Sequence, residues 1–336
     1  MNTLEELKKK DKILSAKILT FAQKNGLATD DAWPIYDGLY SAEKYLDLPI
    51  RLMWILKEPY DEFEDGKPVG GDWSITKDLF NDPIKWSKNK TGKMVIYATY
   101  GIFNQKKWTD MDYISDKPEM ANVIQKMSYI NLSKMPAYTT SSNSALWKKY
   151  SEWKDITFEQ IKLYDPDVII FGNTLKYFKN DLENEGIISD SINKYNDLID
   201  IYRNDNKKMI IDTYHPGNRF SNEEMELYVN SLVDLINDWY WKKSKNITAS
   251  EDKFYLLAKL AKFLVENRLI MKGGELAEFL NTNNYKTSYG SRFEGGRGIY
   301  TVIRNCWHYY NNKNESDTVQ NIENAFVNAY GNPAFW

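Results

Sequence analysis

The chain of 336 residues contains one cysteine, Cys306, and two histidines, His215 and His308. A single thiol excludes an intramolecular disulfide framework and any thiolate-built zinc or iron–sulfur site. Two histidines far apart in sequence offer little to a zinc centre, so no metal and no cofactor is expected. Charge of one sign is lacking too: 44 Lys and Arg stand against 47 Asp and Glu, a net charge of −3. That balance argues against a globally basic nucleic-acid binder, while a local basic groove stays open because binding responds to the local field. No apolar run approaches the length of a membrane span, and the opening Met1-Asn2-Thr3-Leu4-Glu5-Glu6-Leu7 has no apolar signal core. The expectation is a soluble, cytoplasmic protein with no membrane partner. Apolar and aromatic side chains are plentiful, at 42% and 15%, enough for a sizeable core and too many for a disordered chain.

At this length two domains are expected. Apolar positions from Leu4 to Phe21 recur at helical spacing and end at Asn25-Gly26, predicting a helix over 3–25. Four short apolar runs read as buried parallel strands: Leu52–Leu56, Met127–Leu132, Val168–Phe171 and Met209–Ile211. Helical patterns lie between and after them, at Trp153–Leu163 and Glu223–Trp241. This alternation predicts an α/β protein with three layers, α/β/α, around a four-stranded, mainly parallel sheet. The stretch 61–125 is long, aromatic and poorly periodic, so loops with a helix or two are expected there. Near Lys242–Ser250 the composition turns polar, which predicts domains over 1–245 and 250–336. The second is expected to be small and all helical, with helices over Asp252–Asn267, from Gly273, over Ile299–Tyr310 and over Ile322–Ala329.

Two strand exits carry the chemistry. Leu52–Leu56 runs into Lys57-Glu58-Pro59-Tyr60, and Met209–Ile211 is followed by Tyr214-His215-Pro216-Gly217-Asn218-Arg219. Open α/β sheets hold their ligands at the carboxyl ends of strands, so a carboxylate and an imidazole there are minimal equipment for acid/base or electrostatic catalysis. The alternative is two exits where proline merely stops the ladder.

These residues resemble the uracil-DNA glycosylase superfamily, with landmarks in the family's order over roughly residues 45–240. Leu56-Lys57-Glu58-Pro59-Tyr60 is similar to the family's first motif, with Glu58 at the water-activating acidic position. Gly71-Asp72-Trp73-Ser74 resembles the loop whose aromatic residue stacks on the extruded base. Tyr129-Ile130-Asn131-Leu132 resembles the strand whose asparagine reads the base edge. Asn143-Ser144 and Trp153-Lys154-Asp155-Ile156-Thr157 resemble the following loop and helix start, and Asp165–Gly172 the third core strand. His215-Pro216-Gly217-Asn218-Arg219 stands where the family supplies its catalytic histidine and strand-separating wedge. The resemblance implies a monofunctional DNA glycosylase acting in DNA repair by base flipping, with DNA as partner. Glu58 and His215 would be catalytic, Tyr60, Trp73 and Asn131 would hold the base, and Arg219 or Phe220 would fill the vacated stack.

Departures from the pattern bear on the target base. Leu56 stands where glycine is usual, Glu58 replaces the commoner aspartate, and Asp61 follows the tyrosine where the nearest subfamily has histidine. The aromatic stretch with Tyr97, Tyr100, Phe103, Trp108 and Tyr113 is expected to shape a pocket for a different, modified base. In the second domain Gly274–Asn281 and Tyr285-Lys286-Thr287 resemble a helix-turn-helix start, and Gly290–Gly298 a glycine-rich turn into a helix. Lys286, Arg292, Arg297 and Arg304 would contact phosphates there; a packing or dimerisation module is the competing reading. Two other functions remain open for the whole chain: a catalytically silent DNA-binding protein of the same fold, and a hydrolase of free nucleosides or nucleotides.

Overall fold

The structure, a computed structural model, describes residues 3–138, 140–188, 192–204, 207–244, 249–283, 285, 287, 292–293, 297–328 and 330–334. The chain divides into two compact units, Met1–Trp241 and Lys242–Trp336.

The first unit opens with α1 (Leu4–Lys24), started by a reciprocal bond pair in which Thr3 caps the Glu6 amide and the Glu6 carboxylate accepts the Thr3 amide. Leu7, Leu14, Ile18 and Ala22 are its buried stripe. There follow β1 (Gly38–Leu39), α2 (Ala42–Leu46), β2 (Leu52–Leu56), the hairpin β3 (Glu62–Glu64) and β4 (Lys67–Val69), α3 (Pro83–Ser87), α4 (Lys90–Asn104) and β5 (Ser128–Asn131). Next come α5 (Asn143–Tyr164), β6 (Val168–Gly172), α6 (Leu175–Asn184), β7 (Asn193–Lys194), β8 (Ile199–Asn204), β9 (Met209–Thr213) and α7 (Asn222–Ser244).

One sheet of seven strands organises the unit, in the order β1-β5-β2-β6-β9-β8-β7. The pairs β5–β2, β2–β6 and β6–β9 are parallel, and β1, β8 and β7 join antiparallel at the edges. The four apolar runs thus form the parallel centre, but the expected four-stranded sheet is corrected to seven. The missed edge strands had weak local signals: β1 and β7 are two residues long, and Ile199-Asp200-Ile201-Tyr202-Arg203-Asn204 alternates because it lies beyond the doubly covered centre.

All five residues of β2 are buried, and their side chains alternate between two cores. Leu52, Trp54 and Leu56 meet α4 and α7 on one face; Met53 and Ile55 meet α1, α5 and α6 on the other. The Trp54 indole donates to Thr99 of α4 at 3.1 Å, so even this ring leaves no polar atom idle. Of the rings expected to shape a pocket, Tyr97 is buried in the first of these cores, Tyr100, Phe103 and Trp108 pack against it, and Tyr113 is exposed. At the amino ends of the strands, Arg51 reaches Asp167 at 3.0 Å and Asp165 at 3.1 Å, tying β2 to β6.

The chain leaves β2 across the α4 face toward β5 and leaves β6 across the α6 face toward the opposite edge. Connections diverging in this way open a crevice outside the carboxyl ends of β2 and β6.

The second unit comprises α8 (Ala249–Glu266), β10 (Met271–Lys272), α9 (Gly273–Thr282), α10 (Arg297–Asn312), α11 (Ser316–Ala325) and β11 (Phe326–Val327). Its core gathers Leu257, Leu264, Leu276, Leu280, Ile299, Ile303 and Ile322 around the buried thiol of Cys306. The strands β10 and β11 pair in parallel, so this part is not wholly helical as expected. Among the described residues no helix is long and apolar enough to cross a membrane.

Candidate active site at the carboxyl rim of the sheet

Because β5, β2, β6 and β9 run parallel, the residues that follow them share one rim. Leu56 pairs with Asn131, and Gly172 with Thr213. The rim therefore collects Glu58, Asn131 and His215 from three exits distant in sequence.

Glu58 is held from the α5 side. Its side chain is only 4% exposed; Oε1 accepts the Ser141 hydroxyl and lies 3.8 Å from Nζ of Lys149 on α5. Oε2 is buried and accepts no hydrogen bond from the described residues. A buried acceptor left bare costs about 1–3 kcal/mol, more for a charged group, so this oxygen calls for a donor from water or a ligand. Lys149 and Lys57 are the cations that interact with the carboxylate. Burial draws the ammonium of Lys149 below its ordinary range against the pull of Glu58, and burial and nearby Lys176 do the same to Lys57. Asn143, at the start of α5, accepts from Lys176 at 3.1 Å and Tyr177 at 2.9 Å, locking α6 against α5 beside this cluster.

His215 is held from the other side. Its Nδ1 accepts the Gly217 amide at 3.1 Å, which leaves the proton of the neutral ring on Nε2. Burial, with Lys57 adding to it, pushes its pKa down to about 4, so the ring is neutral at pH 7. The turn needs Gly172 for close approach: a Cβ there would lie 2.4 Å from Leu56 Cδ2, 3.0 Å from Pro216 Cδ and 3.8 Å from His215 Cδ2. The other wall is the start of α4, since a Cβ on Gly217 would stand 2.5 Å from Thr91 Oγ1. Glu58 and His215 share no hydrogen bond; the charge of Lys57 acts on both.

Asn131 ends β5 on the Trp54–Leu56 face. Its backbone is clamped at both polar atoms. The amide donates to Asp37 at 2.7 Å, and the carbonyl accepts from Lys134 at 2.7 Å. Asp37 and Lys134 are themselves paired at 2.7 Å, both side chains 0% exposed, and Gln160 donates to the second Asp37 oxygen at 2.7 Å. The Asn131 side-chain amide, by contrast, makes no hydrogen bond with the described residues.

The two aromatic candidates differ. The Trp73 indole donates to Asp61 at 2.7 Å and its ring packs on the core. Tyr60 is 57% exposed and continues a row with Phe63, at 5.6 Å, and Tyr138, 5.2 Å farther on. Tyr60 is thus the ring open to a ligand at the mouth. Arg219 is exposed, whereas Phe220 packs on Tyr228 at 5.2 Å. In the second unit Arg292 is exposed, Arg304 is exposed on α10, and Arg297 begins α10; Lys286 and the Arg297 side chain lie outside the described residues.

Sequence reasoning missed Lys149, Ser141 and the Asp37–Lys134 clamp. Only tertiary packing brings them to the motif residues, and no local pattern marks them. No known protein family matches the chain, and no curated protein matches it.

Proposed function

We propose that the rim hydrolyses the N-glycosidic bond of a nucleotide unit flipped out of DNA. The observation that carries this reading is a bare, buried carboxylate oxygen on Glu58 at the same rim as a neutral imidazole with its proton on Nε2. Water held on Glu58 Oε2 attacks C1′ and gives its proton to the carboxylate as the C1′–O bond forms. The C1′–N bond breaks with its electron pair on the base, whose anion accepts a hydrogen bond from His215 Nε2–H. Water arriving from the face opposite the leaving base needs catalytic groups set apart. Glu58 held from the α5 side and His215 from the α4 side suit that requirement. The free amide of Asn131 is suited to the base edge, and Tyr60 to its face. An uncharged donor stabilises a departing anion without first binding it as a salt, so the benefit grows as the bond breaks.

The test is base release from oligonucleotides containing uracil, hypoxanthine, mismatched thymine or modified cytosines, followed by alkaline cleavage. Glu58→Gln is expected to lower the rate by about 10²–10⁴ and His215→Ala by a similar factor. Cleavage as fast in both variants as in the unaltered protein would reject the mechanism. A gel shift without base release from any substrate would replace it with a DNA-binding role, and turnover of free nucleosides alone would remove DNA as substrate.

A further inference from the structure

A cavity of about 640 Å³ opens between α1, the residues flanking β1 and the segment around Ser74 and Lys77. Its volume is in the range that encloses a small organic molecule, roughly 300–1,000 Å³. None of its lining residues takes part in the rim chemistry. Asp11 of α1 lines it. One oxygen of Asp11 accepts the Tyr164 hydroxyl at 2.6 Å, and the other accepts no hydrogen bond from the described residues. Burial raises the carboxyl above its usual range, with the Asp37 charge adding to the effect.

No lysine forms an ion pair with Asp11 among the described residues, although the charge of Lys77 acts on it. Lys8 pairs with Glu43, and Lys77 donates to the Tyr40 carbonyl at 2.5 Å. Two rings line the same space with their hydroxyls already engaged, Tyr36 toward Asp72 and Tyr40 toward Asn81 at 3.4 Å. They therefore offer apolar surface and electron-rich faces to an occupant, and Ala16, Leu19 and Ala42 add an aliphatic surface. An anionic acceptor set into apolar and aromatic walls selects a cation that brings its own hydrophobic body.

We propose that this cavity binds a small planar molecule bearing a protonated amine or amidine, its cation on Asp11 and its ring against Tyr36, Tyr40 and the aliphatic surface. The full-length protein is titrated by calorimetry with benzamidine, and with benzamide as the neutral molecule of the same shape. Saturable benzamidine binding, weakened about tenfold or more in benzamide and in Asp11→Asn, is the expected result, a difference of about 1.4 kcal/mol or more. Lys12→Ala, which removes a lining cation and leaves the acceptor in place, keeps or tightens benzamidine binding. Equal binding of the two probes overturns the proposal even if Asp11→Asn fails to fold. So does an absence of saturable benzamidine binding, or undiminished affinity in a folded Asp11→Asn.

Discussion

The proton inventory of the rim is set residue by residue through burial. His215 loses its charge chiefly because burial of the half-buried ring disfavours the imidazolium, and the charge of Lys57 acts in the same direction. Asp212, in register across from Asp200 at the end of β9, shows the same force acting on an acid. Burial first, and the Asp200 charge with it, raise its pKa to about 7, although the Leu175 and Thr174 amides oppose the change. The folded protein therefore keeps a proton that the unfolded chain releases near pH 4. Stability from this group is present below that pH and is lost as pH rises through about 7. Asp212→Asn imitates the neutral acid. It is expected to stabilise the protein by on the order of 2 kcal/mol at pH 8 and by little at pH 4, read from denaturant midpoints at the two values. A variant whose stability relative to the parent is the same at both pH values would mean that folding does not raise the Asp212 pKa.

At the scale of elements, what matters is how strand ends are held. The Asp37–Lys134 pair is wholly buried and fixes the exit of β5 by bonding both backbone polar atoms of Asn131. Removing one partner leaves the other as an uncompensated buried charge. Lys134→Met is expected to cost about 3–5 kcal/mol in urea denaturation, and Asp37→Leu added to it recovers part of that loss. A single-variant cost below about 1 kcal/mol would show that water reaches the pair. The same scale shows what was legible. The four central strands and α1 were readable because each carries its own signal: short, mainly apolar runs covered on both faces, and a capped helix with one buried stripe. The aromatic stretch through Tyr97 and Trp108 misled because periodicity is blurred when a helix is buried on most sides. Nine of the fifteen residues of α4 are buried, and the rings fill core, not a pocket.

At the scale of the whole molecule, the two units have separate hydrophobic cores, each gathered from its own side chains. Cys306, the only thiol, is buried in the second core, where burial raises its pKa, so it is protonated and shielded in the native state. Labelling with a thiol reagent along a urea gradient therefore reports the opening of that unit, while the tryptophan-rich first unit dominates fluorescence. The expected outcome is two distinct midpoints. Coincident midpoints would mean that the units unfold as one cooperative block.

By itself, the sequence determined the class of fold, the central strands and the positions of Glu58, Asn131 and His215 at strand exits, because these follow from local periodicity and from proline and glycine near their own residues. Only the tertiary structure decided what each of those groups can do. It bared one oxygen of Glu58, put the His215 proton on Nε2, fastened Trp73 to Asp61 while leaving Tyr60 open, and brought Asp37 and Lys134 beneath Asn131. The physical reason is that charge state and hydrogen-bond occupancy depend on burial and on partners far away in the chain, which local sequence does not encode.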